Sequence, residues 1–248
     1  VWFGLLGILL CSMLGGMRAV TWTQVAQYIV LIIAYLVPVI WMSNAQGFGL
    51  IPHFTYGEAA ANMANFEAQY GLNPPAEAIA GLSVLTTPHT GPVGDYAEWK
   101  FITLALCMMC GTASLPHILM RYFTTPTVRS ARKSVAWSLL FIFLLYFTAP
   151  ALATLTKLQL LDPNLPTAII GKPFEEVASL AWIQNWASVG FLAIADQNGD
   201  GILQLNEFFM RPDIVVLATP EIAGLPYVIS GLVAAGGMAA AMSTADGL

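Results

Sequence analysis

Three clusters in this chain have residue types and spacings suited to ion or solute chemistry. The first is "DQNGDGILQLNE", residues 196–207. Asp196, Asn198 and Asp200 hold positions one, three and five, and Gly201 supplies the sharp turn at six. Ile202 offers its carbonyl at seven, Gln204 can ligate directly or through water at nine, and Glu207 brings a bidentate carboxylate at twelve. The whole calcium-loop pattern is met, although a solvated Asx/Gly turn would read the same way. The second cluster is Ala240, Ser243 and Thr244. Residues three and four apart share a helix face, so a carbonyl and two hydroxyls would offer hard, neutral oxygens to a releasable alkali cation. Hydroxyls that bond back to their own helix are the equal alternative. The third is "GTASLPHI", with Gly111, Thr112, Ser114, Pro116 and His117. Proline removes a backbone donor and clashes with the carbonyl four residues back, that of Thr112. Leu115 before it is biased away from helix.

The elements that must position these residues are set by composition. The chain is 57% hydrophobic and only 9% charged, with a mean hydropathy of +0.71. Soluble domains are about 25% charged, so that class is excluded. The apolar stretches predict an all-α integral membrane protein of about five spans, at 1–14, 22–43, 100–120, 134–156 and 222–245. The first stretch begins without Met or a basic flank and is not a signal peptide. It is expected to be the tail of a span, and the chain an internal fragment of a larger polytopic protein. In the third span, the freed backbone at Pro116 must be buried in protein or face a wet cavity, and Thr112, Ser114 and His117 favour a functional break. The fifth span is rich in Gly, Ala and Ser, which pack against other helices rather than lipid.

Charge gives orientation. Arg18 is the only charge between the first two spans, and Arg121, Arg129, Arg132 and Lys133 follow the third. Residues 43–99 hold five acids and no base, and 156–221 hold eight acids against Lys157, Lys172 and Arg211. Basic short loops mark the cytoplasmic side. Loops 15–22 and 121–133 are therefore expected inside, with 43–99 and 157–221 extracytoplasmic. Thr21 or Thr23 can cap the second span, and Trp22 suits its interface. "EAAANMANFEAQYGLNPP" predicts a short surface helix stopped by Gly71 and Pro74–Pro75. "LAWIQNWASVGFLAIA" is apolar enough to lie along the membrane or cover an outer vestibule. Cys11, Cys107 and Cys110 fall in apolar spans, where buried thiols without a role are expected.

"GGMRAVTWTQVAQYIV", "GTASLPHILMRYF" and "AAAMSTADGL" together resemble, in order and spacing, the sodium:solute symporter family, closest to its acetate-permease-like branch. The resemblance implies a LeuT-type fold of two inverted five-helix repeats, with ligands bound near the midplane where broken helices meet. It implies that the fragment runs from the end of core helix four through core helix eight. "GTASLPHI" would then be the broken core helix six of the substrate site. Ala240, Ser243 and Thr244 would match the core-eight part of the sodium site, whose other ligands lie upstream. The implied function is sodium-coupled import of a small organic solute, such as the monocarboxylate acetate, by alternating access across the cell membrane. No arginine lies in a span to pair a carboxylate, so helix-break amides with Thr112 and Ser114 would have to bind the anion.

Calcium, if bound at 196–207, would be a structural clamp on an outer loop, since no second loop is visible to pair with it. A symporter-like sensory domain of a histidine kinase is the alternative reading. An enzyme is not expected: His53, His89 and His117 form no recognisable constellation. Nucleic acid and an obligate protein partner are not expected either; the partners are the lipid bilayer and the solute.

Overall fold

The computed structural model describes residues 2–70, 97–115, 119 and 123–247. The elements are helices α1 (Trp2–Ala45), α2 (Pro52–Gln69), α3 (Ala97–Ala113), α4 (Val128–Leu161), α5 (Phe174–Ala178), α6 (Ala181–Ser188), α7 (Val215–Ile222) and α8 (Tyr227–Gly247). A two-stranded antiparallel sheet joins β1 (Leu192–Ile194) to β2 (Phe208–Met210) between α6 and α7. Among the described residues three helices are long and apolar enough to cross a membrane: Met13–Ala45, Val128–Leu161 and Tyr227–Ala245. The chain divides into two compact units.

One unit comprises Val1–Val25, Gly91–Phe147 and Ala241–Leu248. Here α1 is broken at Gly16, whose φ of 56° and ψ of −162° suit only glycine. A side chain on Gly15 would overlap Ala19, so both glycines of "GG" are needed, one for conformation and one for space. The eight-residue connection expected at 15–22 is thus a single non-helical residue between helices. Thr21 and Thr23 lie inside α1, where their hydroxyls donate to the carbonyls of Met17 and Val20 at 2.8 Å each. Thr127 does cap α4, accepting the Ser130 N–H at 3.2 Å. Along α3 every described side chain from Glu98 onward is exposed, and so are Phe141, Phe143 and Phe147 of α4. Cys107 and Cys110 are free and exposed rather than buried.

The other unit comprises Ala26–Thr90 and Thr148–Ala240, and its core is continuous. Val39 and Met42 from α1, Ala59 and Met63 from α2, and Leu155 and Leu161 from α4 pack with Ile183, Leu203, Phe208 and Ile222. The strands pair Leu192 with Met210 and Ile194 with Phe208, which sends one face of the ribbon into this core. The segment α2 therefore exists as expected, a helix with an exposed outer side; it begins earlier, at Pro52, and turns Ala59, Met63 and Glu67 into the core. The "LAWIQNWASVGFLAIA" stretch packs in part on this core. Ile183 and Leu192 are buried, while Trp182 packs on Phe208 and Trp186 on Phe191.

Several polar groups inside this core are paired, while the side-chain oxygens of Gln27, Gln46 and Ser230 are buried without a hydrogen bond. Lys157 meets Glu67 at 2.5 Å with both side chains under a tenth exposed, and Thr156 shares a hydrogen bond with Thr219 at 3.2 Å. His53 likewise bonds Thr148 at 2.9 Å. Residue 222, expected to open the last span, instead ends α7. The turn that follows is a glycine-capped stop. Gly224 has φ 67° and donates to the Glu221 carbonyl at 3.1 Å, and Leu225 donates to that of Pro220 at 2.8 Å. Only after Pro226 does α8 begin.

Candidate functional site

The α8 sequence places small residues along one side. Val233 and Gly236 are buried and Ala240 and Ser243 half-buried, at spacings of three, four and three, whereas Thr244 is exposed. This stripe lets α1 come close: a Cβ on Gly236 would stand 2.7 Å from the Ala34 Cβ. Ala240, Ser243 and Thr244 all lie in α8, with Ala240 and Ser243 on its half-buried side. A residue that sequence reasoning passed over joins them. The Gln24 side chain, half-buried on α1, donates from Nε2 to the Ser243 carbonyl at 3.0 Å. The available signal was an amide inside an apolar helix, which must find a partner once water is gone.

The third cluster is placed only in part. Gly111 and Thr112 close α3, which ends at Ala113, ahead of the proline. The Ser114 hydroxyl turns back to the Gly111 carbonyl at 3.0 Å. All three are exposed. Pro116 and His117 lie outside the described residues, as do His89, Gly71 and Pro74–Pro75.

The calcium expectation gains no support from the geometry of its loop. A calcium ion needs six to eight oxygens turned toward one point. Here the oxygens are turned onto the loop's own amides. Asp196 accepts the Gly199 and Gly201 N–H groups at 2.7 and 3.0 Å. Glu207, 1% exposed, accepts from Gln197 at 2.9 Å and Gln204 at 3.0 Å. The side-chain amides of Asn198 and Gln204 both donate to Asp200 Oδ2, at 3.0 and 2.7 Å. Among the described residues no group of three or more His, Cys, Asp or Glu is arranged to hold a metal. In this arrangement calcium binding is not supported. What Glu207 does instead is close a capping box with Gln204. The loop is fastened at its other side by Leu203, wholly buried, which exchanges backbone hydrogen bonds with Gly171 and Lys172. Asp200 is held below the ordinary carboxylate range, first by the Ile202 N–H and further by the Asn198 and Gln204 amides, against an opposing effect of desolvation.

Long apolar helices with exposed aromatic and aliphatic side chains, and ion pairs and amides turned inward, define a membrane-embedded helical protein. The sodium:solute symporter family profile matches residues 1–171, and the chain belongs to that family. It is 37% identical to an uncharacterized symporter of Cupriavidus necator, over 100% of this chain and 47% of the relative. It is 31% identical to a monocarboxylic acid transporter of Corynebacterium glutamicum, over 58% of this chain and 25% of that protein. The chain thus spans less than half the length of these relatives. Family and relatives alike are transporters, not enzymes. No solved structure matches the chain.

Proposed function

We propose that the protein to which this chain belongs is a sodium-coupled symporter that imports a small monocarboxylate by alternating access, in an inverted-repeat fold of the LeuT type. The observation that carries the reading is the family match over residues 1–171. The monocarboxylate is suggested by the name of the Corynebacterium relative. Ala240, Ser243 and Thr244 are assigned to the sodium site, with further ligands from elsewhere in the full protein. In favour is that Ala240 and Ser243 sit on the half-buried side of α8. Neutral oxygens hold sodium without trapping it, which a cycling carrier needs. Gly111, Thr112, Ser114, Pro116 and His117 are assigned to the solute site, where the end of α3 frees backbone groups that an anion can use. The spans are assigned to the cell membrane, with the basic segments 15–22 and 121–133 on the cytoplasmic side. A sodium ion moving inward would then gain roughly 2.3 kcal/mol per 100 mV of membrane potential.

Uptake of labelled acetate by the full-length protein in proteoliposomes is the test. Transport is expected only with an inward sodium gradient, and combined Ser243→Ala and Thr244→Ala should raise the sodium concentration needed. Equal uptake with and without sodium would overturn the coupling.

A further inference from the structure

We propose that the corner between α1 and α2 is an interfacial membrane anchor, with Leu50, Ile51 and Phe54 entering the boundary between headgroups and acyl chains of one lipid leaflet. This contact is additional to the spanning helices and does not depend on the ion or solute assigned above.

The corner stands at the level where α1 leaves the bilayer. Helices α1 and α8 run antiparallel, since Gly236 meets Ala34 and Ser243 meets Gln24. Trp41 lies seven positions past Ala34 and Tyr227 nine before Gly236, so these two exposed aromatics share one level. Exposed Trp and Tyr at one depth on apolar helices mark a membrane interface. The chain then folds back to that level. Phe48 donates its N–H to the Ser43 carbonyl at 2.8 Å, and the Ser43 hydroxyl donates to the Gly49 carbonyl at 2.6 Å. Gly47 and Gly49, at φ 83° and 84°, permit the reversal.

The corner has two sides. Inward, Pro52 is buried and His53 bonds Thr148 at 2.9 Å, while the Thr55 hydroxyl donates to the Phe48 carbonyl at 3.0 Å. Outward, Leu50, Ile51 and Phe54 are each more than half exposed, Phe54 by 86%. These side chains are therefore exposed on a fastened turn. No charged residue lies between Ser43 and Gly57. Phe54 also opens a stripe along one face of α2 whose later members, Glu58, Asn62, Asn65 and Gln69, are all exposed. One face of one helix thus changes from apolar to polar within about a turn, as a helix rising from lipid into water requires. A protein partner lying along α2 would impose no such boundary. Contacts between membrane helices also favour small residues over Leu, Ile and Phe. The lack of Lys and Arg commits the contact to the apolar boundary rather than to anionic headgroups.

The test places photoreactive benzoylphenylalanine in the full-length protein, one position per variant, in place of Leu50, Phe54, Glu58 or Asn62. Each variant is reconstituted in vesicles of phosphatidylethanolamine and phosphatidylglycerol and illuminated, and intact-mass spectrometry reads the fraction carrying a lipid adduct. Positions 50 and 54 are expected to give several times the adduct of position 62, with position 58 between them. Replacing phosphatidylglycerol with phosphatidylcholine should leave these yields unchanged. Cross-links from position 54 to another segment of the chain or to a second copy, in place of lipid, would overturn the proposal. So would equal yields at 54 and 62, or a yield at 54 that follows the anionic lipid fraction.

Discussion

The two ends of α4 are both apolar and are built for opposite surroundings. From Trp137 to Phe147 its large side chains point outward, with Phe143 59% and Tyr146 75% exposed. From Thr154 to Leu161 every residue is buried, on all sides of the helix. The polar residues belong to the second stretch: Thr156, Lys157 and Gln159 are buried, while the phenylalanines are not. In water this would be inside out, since exposed apolar patches of that size do not persist on soluble proteins. The difference teaches that the first stretch is built for apolar surroundings, lipid or other helices, and that the second is solvated by protein. Length agrees. The helix has 34 residues, about 51 Å at 1.5 Å per residue, against a hydrocarbon core of roughly 30 Å.

Paired substitutions would break this contrast or sharpen it. Phe208→Ala, in the packed core, should cost about 3–5 kcal/mol of unfolding free energy in detergent. Phe143→Ala, on the exposed stretch, should stay within about 0.5 kcal/mol; equal losses would erase the distinction. Glu67→Ala should cost about 3–5 kcal/mol by stranding the Lys157 ammonium in the core, while Glu67→Leu with Lys157→Met should recover most of it. In α8, Gly236→Ala meets the Ala34 Cβ and should lose about 1–3 kcal/mol, whereas Gly231→Ala, with open space around it, should be neutral. The loop at 196–207 should show no calcium effect: the unfolding midpoint should be the same in chelator and in excess calcium, for wild type and for Asp196→Ala. Smallest is an acid effect at Asp200. Its folded carboxyl sits below the usual range, so its contribution is present above the unfolded value near 3.9 and fades only as pH falls through the lower folded value. A carbon-detected titration of the side chain would show that order, and an ordinary titration would refute it.

Much of the helical layout was legible because glycine and proline speak locally. The "GG" break, the stop of α3 ahead of Pro116 and the helix at "EAAANMANFEAQ" all follow from propensity. What the sequence hid depends on partners distant along the chain. Hydropathy ends the fourth span near 156 and leaves Lys157–Leu161 to a loop, whereas the helix runs on to Leu161 because burial by protein continues it. The loop "DQNGDGILQLNE" is ambiguous for a related reason. Carboxylates spaced to embrace an ion are spaced equally well to accept their own backbone amides, as Asp196 and Glu207 do. In the Trp-containing stretch before it, the contact of Trp182 with Phe208 depends on a partner that local sequence does not reveal. At the candidate site, the i, i+3, i+4 pattern named the α8 residues, but not which of Ser243 and Thr244 is half-buried, nor the bond from Gln24 to the Ser243 carbonyl.

The packed core also has a history written into its connectivity. The Gln46 side chain donates to the carbonyl of Leu155, 109 residues later, and Glu67 waits 90 residues for Lys157. At about 5–20 residues per second of synthesis, these partners emerge roughly 5–20 s apart. For that interval Met42 and Met63 have no core to enter, and the Glu67 carboxylate has no counter-charge. The later part, residues 162–222, closes mostly on itself through the β1–β2 ribbon and the loop clasp. The chain therefore makes its most vulnerable surface first and its cover last, which makes the ribosome's pace, rather than final stability, the quantity to which assembly of this region is exposed.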